Sequence, residues 1–240
     1  MNIQPLTEGS YFHIYNRGVN SEDLFKTEEN YRYFLQQYKK YCAEVFETMA
    51  YALLKNHFHL LVYVKENVTV PRTDGQGTIQ LNASKQLSHF FNSYAQGINK
   101  TFKRTGPLFE SPFERKLLDN DEYITSMIFY CHHNPQLHRL VQDFRDWPFT
   151  SYRAIMKDDN NVVSVDKVLD WFGGLEPFEK QHRERYPVIT ADGAKKQPTG
   201  CTILMKRRLD GEKIIKPPTG LRAAVGVQAP PYQRLKNKKT

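Results

Sequence analysis

Apolar residues change their spacing repeatedly along the chain, and each change marks an element. Ser10 to Asn16 (SYFHIYN) alternates and is rich in aromatics, which predicts a strand with Phe12 and Ile14 on one face. Asn16, Arg17 and Gly18 turn the chain. Thr27 can cap a helix in which Tyr31, Phe34, Leu35 and Tyr38 recur at i, i+3, i+4 and i+7. Phe46 to Leu54 reads as a buried strand, Lys55 and Asn56 as a two-residue turn, and His57 to Val64 (HFHLLVYV) as the next strand. Residues 65–81, with PRTDGQG, read as a flexible loop. Asn82 can cap a helix carrying Leu87, Phe90, Phe91, Tyr94 and Ile98. A last strand is expected from Phe113 to Leu118, then a helix capped at 119–121 that runs through Ile124, Met127, Ile128 and Cys131 to Pro135.

This order predicts an α+β, ferredoxin-like split βαβ fold. It comprises a four-stranded antiparallel sheet, two helices on one face and a further C-terminal helix. The first and third strands are central neighbours in that topology. The fold alone decides no function.

Composition narrows the class. With 40% hydrophobic and 13% aromatic residues among 240, a sizeable core is available, which excludes wholesale disorder. The apolar runs are strand-length, too short to span a bilayer, so no membrane partner is expected. The N-terminus lacks the basic and apolar regions of a signal peptide. Three widely spaced cysteines form neither a disulfide framework nor a zinc signature. A cytoplasmic location is the expectation. The net charge of +8 is uneven: residues 190–240 hold 12 basic and three acidic residues, leaving 22 basic and 23 acidic in residues 1–189. The last fifty residues, with PPTG, APP and a basic terminus, have the composition of an extended arm.

Candidate chemistry lies in the nearly neutral part. In His57-Phe58-His59 the alternation puts both imidazoles on one side of the strand, about 6–7 Å apart, where they can chelate one cation. A bare His-x-His is equally compatible with polar residues on a wet sheet face. Tyr130 and Asn134 stand at i, i+4 on the flank of the last helix's apolar stripe. The amide can supply an oxygen to a hard cation, and the tyrosine one turn earlier can reach a phosphate bound to it. Asn134 before Pro135 is also what a helix end looks like. Tyr123, i−7 from Tyr130, shares its face and is the rival tyrosine, but its i+4 partner is Met127, which offers no hard ligand. His13, on the strand beside the histidine pair, reads as a polar neighbour that orients a ligand or DNA. Helical geometry turns His132 and His133 away from Tyr130, toward the surface or DNA. Glu47 is a conceivable extra carboxylate.

Together these stretches resemble a known family. YFHIYNRG (11–18), NHFHLLV (56–62), YCHHNP (130–135), WPFTSYRAI (147–155) and VLDWFGG (168–174) are similar to the single-tyrosine HUH transposases, and among them the REP-associated tyrosine transposases. By position, the resemblance implies that His57 and His59 are metal ligands, Asn134 completes the metal site and Tyr130 is the nucleophile. It implies a Mg²⁺ or Mn²⁺ cofactor, a single-stranded or hairpin DNA substrate, and cleavage and rejoining through a 5′-phosphotyrosine link. A domesticated hairpin-binding protein and a replication or conjugation nickase are the alternative functions. Monomer and homodimer both remain open.

Asn16, Arg17, Lys100, Lys103, Arg104, Arg115 and Lys116, with Lys206, Arg207 and Arg208 in the arm, are the candidate DNA contacts. The expected organisation is a catalytic domain over 1–156, a helical extension packed on it over 157–189, and a basic arm over 190–240. Deleting 190–240 is expected to weaken hairpin binding and flatten its salt dependence while sparing the tyrosine chemistry, as read by binding titrations at two salt concentrations.

Overall fold

The computed structural model describes residues 4–159 and 161–185. The chain divides after Val165 into two compact units. The basic arm, with Lys206, Arg207 and Arg208, lies outside the described residues.

The first unit contains β1 (Tyr11–Arg17), α1 (Glu28–Cys42), β2 (Phe46–Leu54), β3 (His57–Val64), β4 (Thr69–Pro71), β5 (Thr78–Gln80), α2 (Ala83–Thr101), β6 (Glu114–Leu118), α3 (Asp121–Leu137) and α4 (Ser151–Met156). Four strands form an antiparallel sheet in the order β2-β3-β1-β6, with β1 and β3 central as the pattern predicted. The expected caps are in place. Asn30 Oδ1 accepts from Thr27 N at 3.1 Å, Asn82 Oδ1 from Lys85 N at 3.0 Å, and Asn120 Oδ1 from Tyr123 N at 2.8 Å.

Period-two alternation divides the sheet into two faces. Phe12, Ile14, Phe58, Leu60 and Val62 turn to one side and are fully buried with Phe34 and Tyr38 of α1 and Leu87, Phe90 and Tyr94 of α2. Phe34 is the hub: its ring lies 4.8–5.2 Å from those of Phe25, Phe58, Phe90 and Tyr94. Edge-to-face and tilted contacts of this kind add to plain area burial. The other face is crossed by α3, which lies along β2 and β3. Small side chains, Ala50 and Ala52, line β2 on that side and are buried under the helix.

Residues 65–81 differ from the flexible loop that their Gly, Pro and Asp content suggests. They fold into the β4–β5 hairpin, with Val70 opposite Ile79 and Gly75 and Gly77 at positive φ. Thr69, Val70, Thr78 and Ile79 are β-formers, and the turn residues that argued for a loop instead close the hairpin.

The outer edge of β2 is covered by the chain after α3. Leu53 N donates to Phe149 O at 2.9 Å, Trp147 Nε1 to Leu53 O at 2.9 Å, and Thr48 bridges Val163. The Phe149 ring stacks on Tyr31 at 3.9 Å. An edge strand blunted in this way is closed to further pairing.

The second unit begins one residue into α5 (Val165–Phe172) and continues with α6 (Leu175–Arg185); these helices carry Phe172, Phe178 and His182. His182 is fully buried and its Nδ1–H donates to Phe178 O at 2.7 Å. Burial pushes its pKa down to about 3; the bond to Phe178 opposes this, and Arg185 adds to it. An unfolded histidine titrates near 6.5, so the unfolded chain takes up the proton first. This histidine is therefore expected to make the protein less stable as pH falls from about 6.5 toward about 3. His182→Gln should reduce the difference between urea midpoints at pH 7 and pH 4.5.

Candidate active site

The face of the sheet opposite the aromatic core carries the chemistry. Cross-strand register places Tyr15 opposite His59 and Arg17 opposite His57, with His13 beside them and Lys116 of β6 opposite His13. The two histidine rings lie 5.3 Å apart between centroids. Tyr130 of α3 comes down on them: its hydroxyl is 3.4 Å from His59 Nε2, and its ring is 5.0 Å from that of His59. Tyr123, the rival, is engaged elsewhere: its hydroxyl meets the Lys116 ammonium of β6.

Each histidine is held by its outer nitrogen. Asn56 Oδ1 accepts from His57 Nδ1 at 2.8 Å. His59 Nδ1 pairs with His13 Nε2 at 2.9 Å, a buried contact between two rings stacked at 5.1 Å. Such outer partners set the tautomer and ring angle of a ligating histidine and direct Nε2 inward. His13 thus orients a histidine, one of the roles its position suggested. Asn56 and His138 were not anticipated. His138 caps the C-terminal end of α3, one turn after Asn134, and its ring sits 4.8 Å from that of His57. Burial pushes the pKa of His57 down to about 4; His138 and then Arg17 add to this, while Asn134 opposes it. His57 is therefore neutral at physiological pH, the form that binds a metal.

Asn134 is the unusual member. It is fully buried, and neither atom of its amide makes a hydrogen bond by strict geometry, although it is near enough to His57 to favour the charged ring. A buried amide left open is costly unless something else uses it. Among the described residues no three His, Cys, Asp or Glu side chains converge as a metal site. Two imidazoles and an amide oxygen lie outside that count, and as a donor set they suit a divalent cation. His59 Nε2 can meet either the Tyr130 hydroxyl or a cation, so both functions meet at one atom.

The other expectations separate. Arg17 and Lys116 are exposed on the site face. Asn16 is buried on the core side, its amide donating to Glu110 O at 2.9 Å. Arg115 also turns from the site, stacking on Phe113 and donating to Ser84 Oγ. Lys100 and Lys103 lie at and just beyond the end of α2, and Arg104 nearby pairs with Glu22 at 2.5 Å. Glu47 is opposite Tyr63, four residues from His59 along β3 and roughly 13 Å away. His132 and His133 are a correction: both are fully buried, not at the surface or on DNA. His132 Nε2 meets Ser151 Oγ at 2.7 Å, and His133 packs on Phe144 at 3.8 Å while bonding Phe129 O. The helical wheel turned them correctly from Tyr130, but α3 has a second covered side, formed by residues 144–155.

Comparisons with known proteins find similarity in sequence and in fold. A Haemophilus influenzae (strain ATCC 51907 / DSM 11121 / KW20 / Rd) protein named for the REP-associated tyrosine transposases is 28% identical over 130 residues, covering 52% of this chain and 69% of that protein. A solved structure of a REP-associated tyrosine transposase bound to a REP hairpin superposes with a TM-score of 0.51 at 15% identity. The superposition covers 69% of this chain and 89% of that one, and it shows the fold. A bacterial tRNA(His) guanylyltransferase-like protein in complex with GTP aligns with a TM-score of only 0.38 at 9% identity, over 57% of this chain and 67% of that one. No protein-family model matches the chain.

Ser151 Oγ is shared: it accepts from Tyr51 N at 2.9 Å on β2 and meets His132 on α3. It ties the tyrosine helix to the sheet. Ser151→Ala is expected to lower stability by about 1–3 kcal/mol, because it removes the oxygen that both buried groups use. A urea midpoint that falls with an unchanged slope would show this.

Proposed function

We propose that this chain, which resembles the REP-associated tyrosine transposases in sequence and in fold, cleaves and rejoins single-stranded DNA beside hairpins. The observation that carries the reading is Tyr130 poised 3.4 Å from His59 Nε2, beside a neutral His57 and an open, buried Asn134 amide. A hairpin-binding module has no use for that combination.

His57, His59 and Asn134 are the residues that would hold Mg²⁺ or Mn²⁺. When bound, the cation would polarise an oxygen of the scissile phosphate and offset charge developing there. The chain's own part begins with Tyr130. Its oxygen attacks phosphorus in line, the bond from phosphorus to the 3′ oxygen breaks, and the phenolic proton is lost as the 3′ oxygen gains one. The products are a 5′-phosphotyrosine link and a free 3′-OH. A second 3′-OH reverses the step and joins new strands. His13 and Asn56 keep the two imidazoles oriented throughout, and Ser151 with His132 keeps the tyrosine helix in place. Among the described residues no helix is long and apolar enough to cross a membrane.

The test uses the full chain, Mg²⁺ or Mn²⁺, and single-stranded hairpins taken from repeats flanking the gene. A denaturation-resistant protein–DNA adduct is expected from the parent and from Tyr123→Phe, and none from Tyr130→Phe. An adduct that persists in Tyr130→Phe would overturn the assignment of the nucleophile. By calorimetry, His57→Ala is expected to weaken Mn²⁺ binding at least tenfold, the scale on which such sites respond to lost partners.

A further inference from the structure

One corner of the site face is not covered by α3. There β1 and β6 present Tyr15, Arg17, Glu114 and Lys116 on the same side as the histidine pair. Arg17, Glu114 and Lys116 are exposed, and Tyr15 is half-buried. The Tyr15 ring stacks on His13 at 4.7 Å and lies 6.0 Å from His59, so it borders the reacting atoms directly. Glu114 is its cross-strand partner, and Lys116 is the partner of His13. The Lys116 ammonium lies 4.6 Å above the Tyr123 ring and bonds its hydroxyl, which holds the cation over β6. An ammonium has three donors, so one bond to Tyr123 leaves capacity for a phosphate.

The mixture of charges is informative. Two cations and an aromatic ring suit a single strand, whose phosphates need neutralising and whose bases stack without regard to sequence. Glu114 does not suit a phosphate track, since a carboxylate there repels the backbone. It does suit the edge of a base. Adenine, cytosine and guanine each carry an exocyclic amino group that a carboxylate can accept from, and thymine carries none.

We propose that this corner is a subsite for one unpaired nucleotide next to the scissile phosphate. Tyr15 stacks its base, Glu114 selects an amino-bearing base against thymine, and Lys116 with Arg17 holds the adjoining phosphates. The proposal rests on the single-strand reading above and adds a position of base choice to it.

The experiment uses the full chain carrying Tyr130→Phe, which removes cleavage and leaves binding to be measured. Hairpins are compared by fluorescence anisotropy with no flank, with a cytosine or adenine flank, and with a thymine flank. The amino-bearing flanks are expected to bind about fivefold more tightly than thymine, and Glu114→Ala should erase that difference. Tyr15→Leu should weaken binding of every flanked hairpin about five- to tenfold and relieve the quenching of a 2-aminopurine placed in the flank, whereas Tyr15→Phe should do neither. Lys116→Ala should reduce the salt slope by about one. Unaltered Mn²⁺ affinity in Tyr15→Leu would show that the histidines are undisturbed. Flanks that bind alike, or quenching that survives Tyr15→Leu, would overturn the subsite while leaving the transposase reading intact. Failure to bind any hairpin would overturn both.

Discussion

The position of β3 at the centre of the sheet, between β1 and β2, governs the rest of this structure. Phe58, Leu60 and Val62 are committed to the aromatic core around Phe34, so the remaining positions of the strand have no choice of side. His57 and His59 must face away from the core. A slip of one residue would bury both imidazoles among phenylalanines and expose three large apolar side chains, so the register is strongly specified. The same pairing brings His13 of β1 within hydrogen-bond reach of His59, a contact that neither strand could make alone.

The second requirement is a helix held rigidly over that face. α3 is covered on two sides, by the sheet and by residues 144–155, and its buried polar groups are used as fasteners. His132 reaches Ser151, Gln136 Oε1 accepts from Phe144 N at 3.0 Å, and His133 packs on Phe144. Pro135 lies inside the helix and removes one backbone donor just after Asn134. The stretch WPFTSY therefore has a mechanical meaning: it seals the β2 edge and clamps the tyrosine helix in one operation.

Much of this was legible in the sequence because local rules and tertiary demands coincide. Alternation placed Phe12 and Ile14 inside, helical spacing found the buried faces of α1 and α2, and Asn82 and Asn120 announced their helices. Tyr130 and Asn134 could be placed on one flank by spacing alone. What escaped depends on contacts distant in the chain. Nothing near His132 says that Ser151 will reach it, and a helical wheel assigns the side opposite a site to solvent unless another segment is known to cover it. Asn56 was read only as a turn residue, although its side chain is what holds His57. His138 follows the expected end of α3 at Pro135, and it was overlooked because a proline after asparagine is usually a stop. The helix instead runs to Leu137. The hairpin at 69–80 was missed because its strands are three residues each, below the length at which alternation can be read.

That hairpin also bears on how such a protein can change over time. It leaves the sheet beyond Val64, seven residues along β3 from His57 and roughly 24 Å away. Its tip is built from exposed small and polar residues, the kind of place where chains tolerate insertion. The excursion can grow, shrink or be exchanged for another module without moving either imidazole. Chain length at this point is thus separable from the arrangement of the histidine pair, and the two can vary independently.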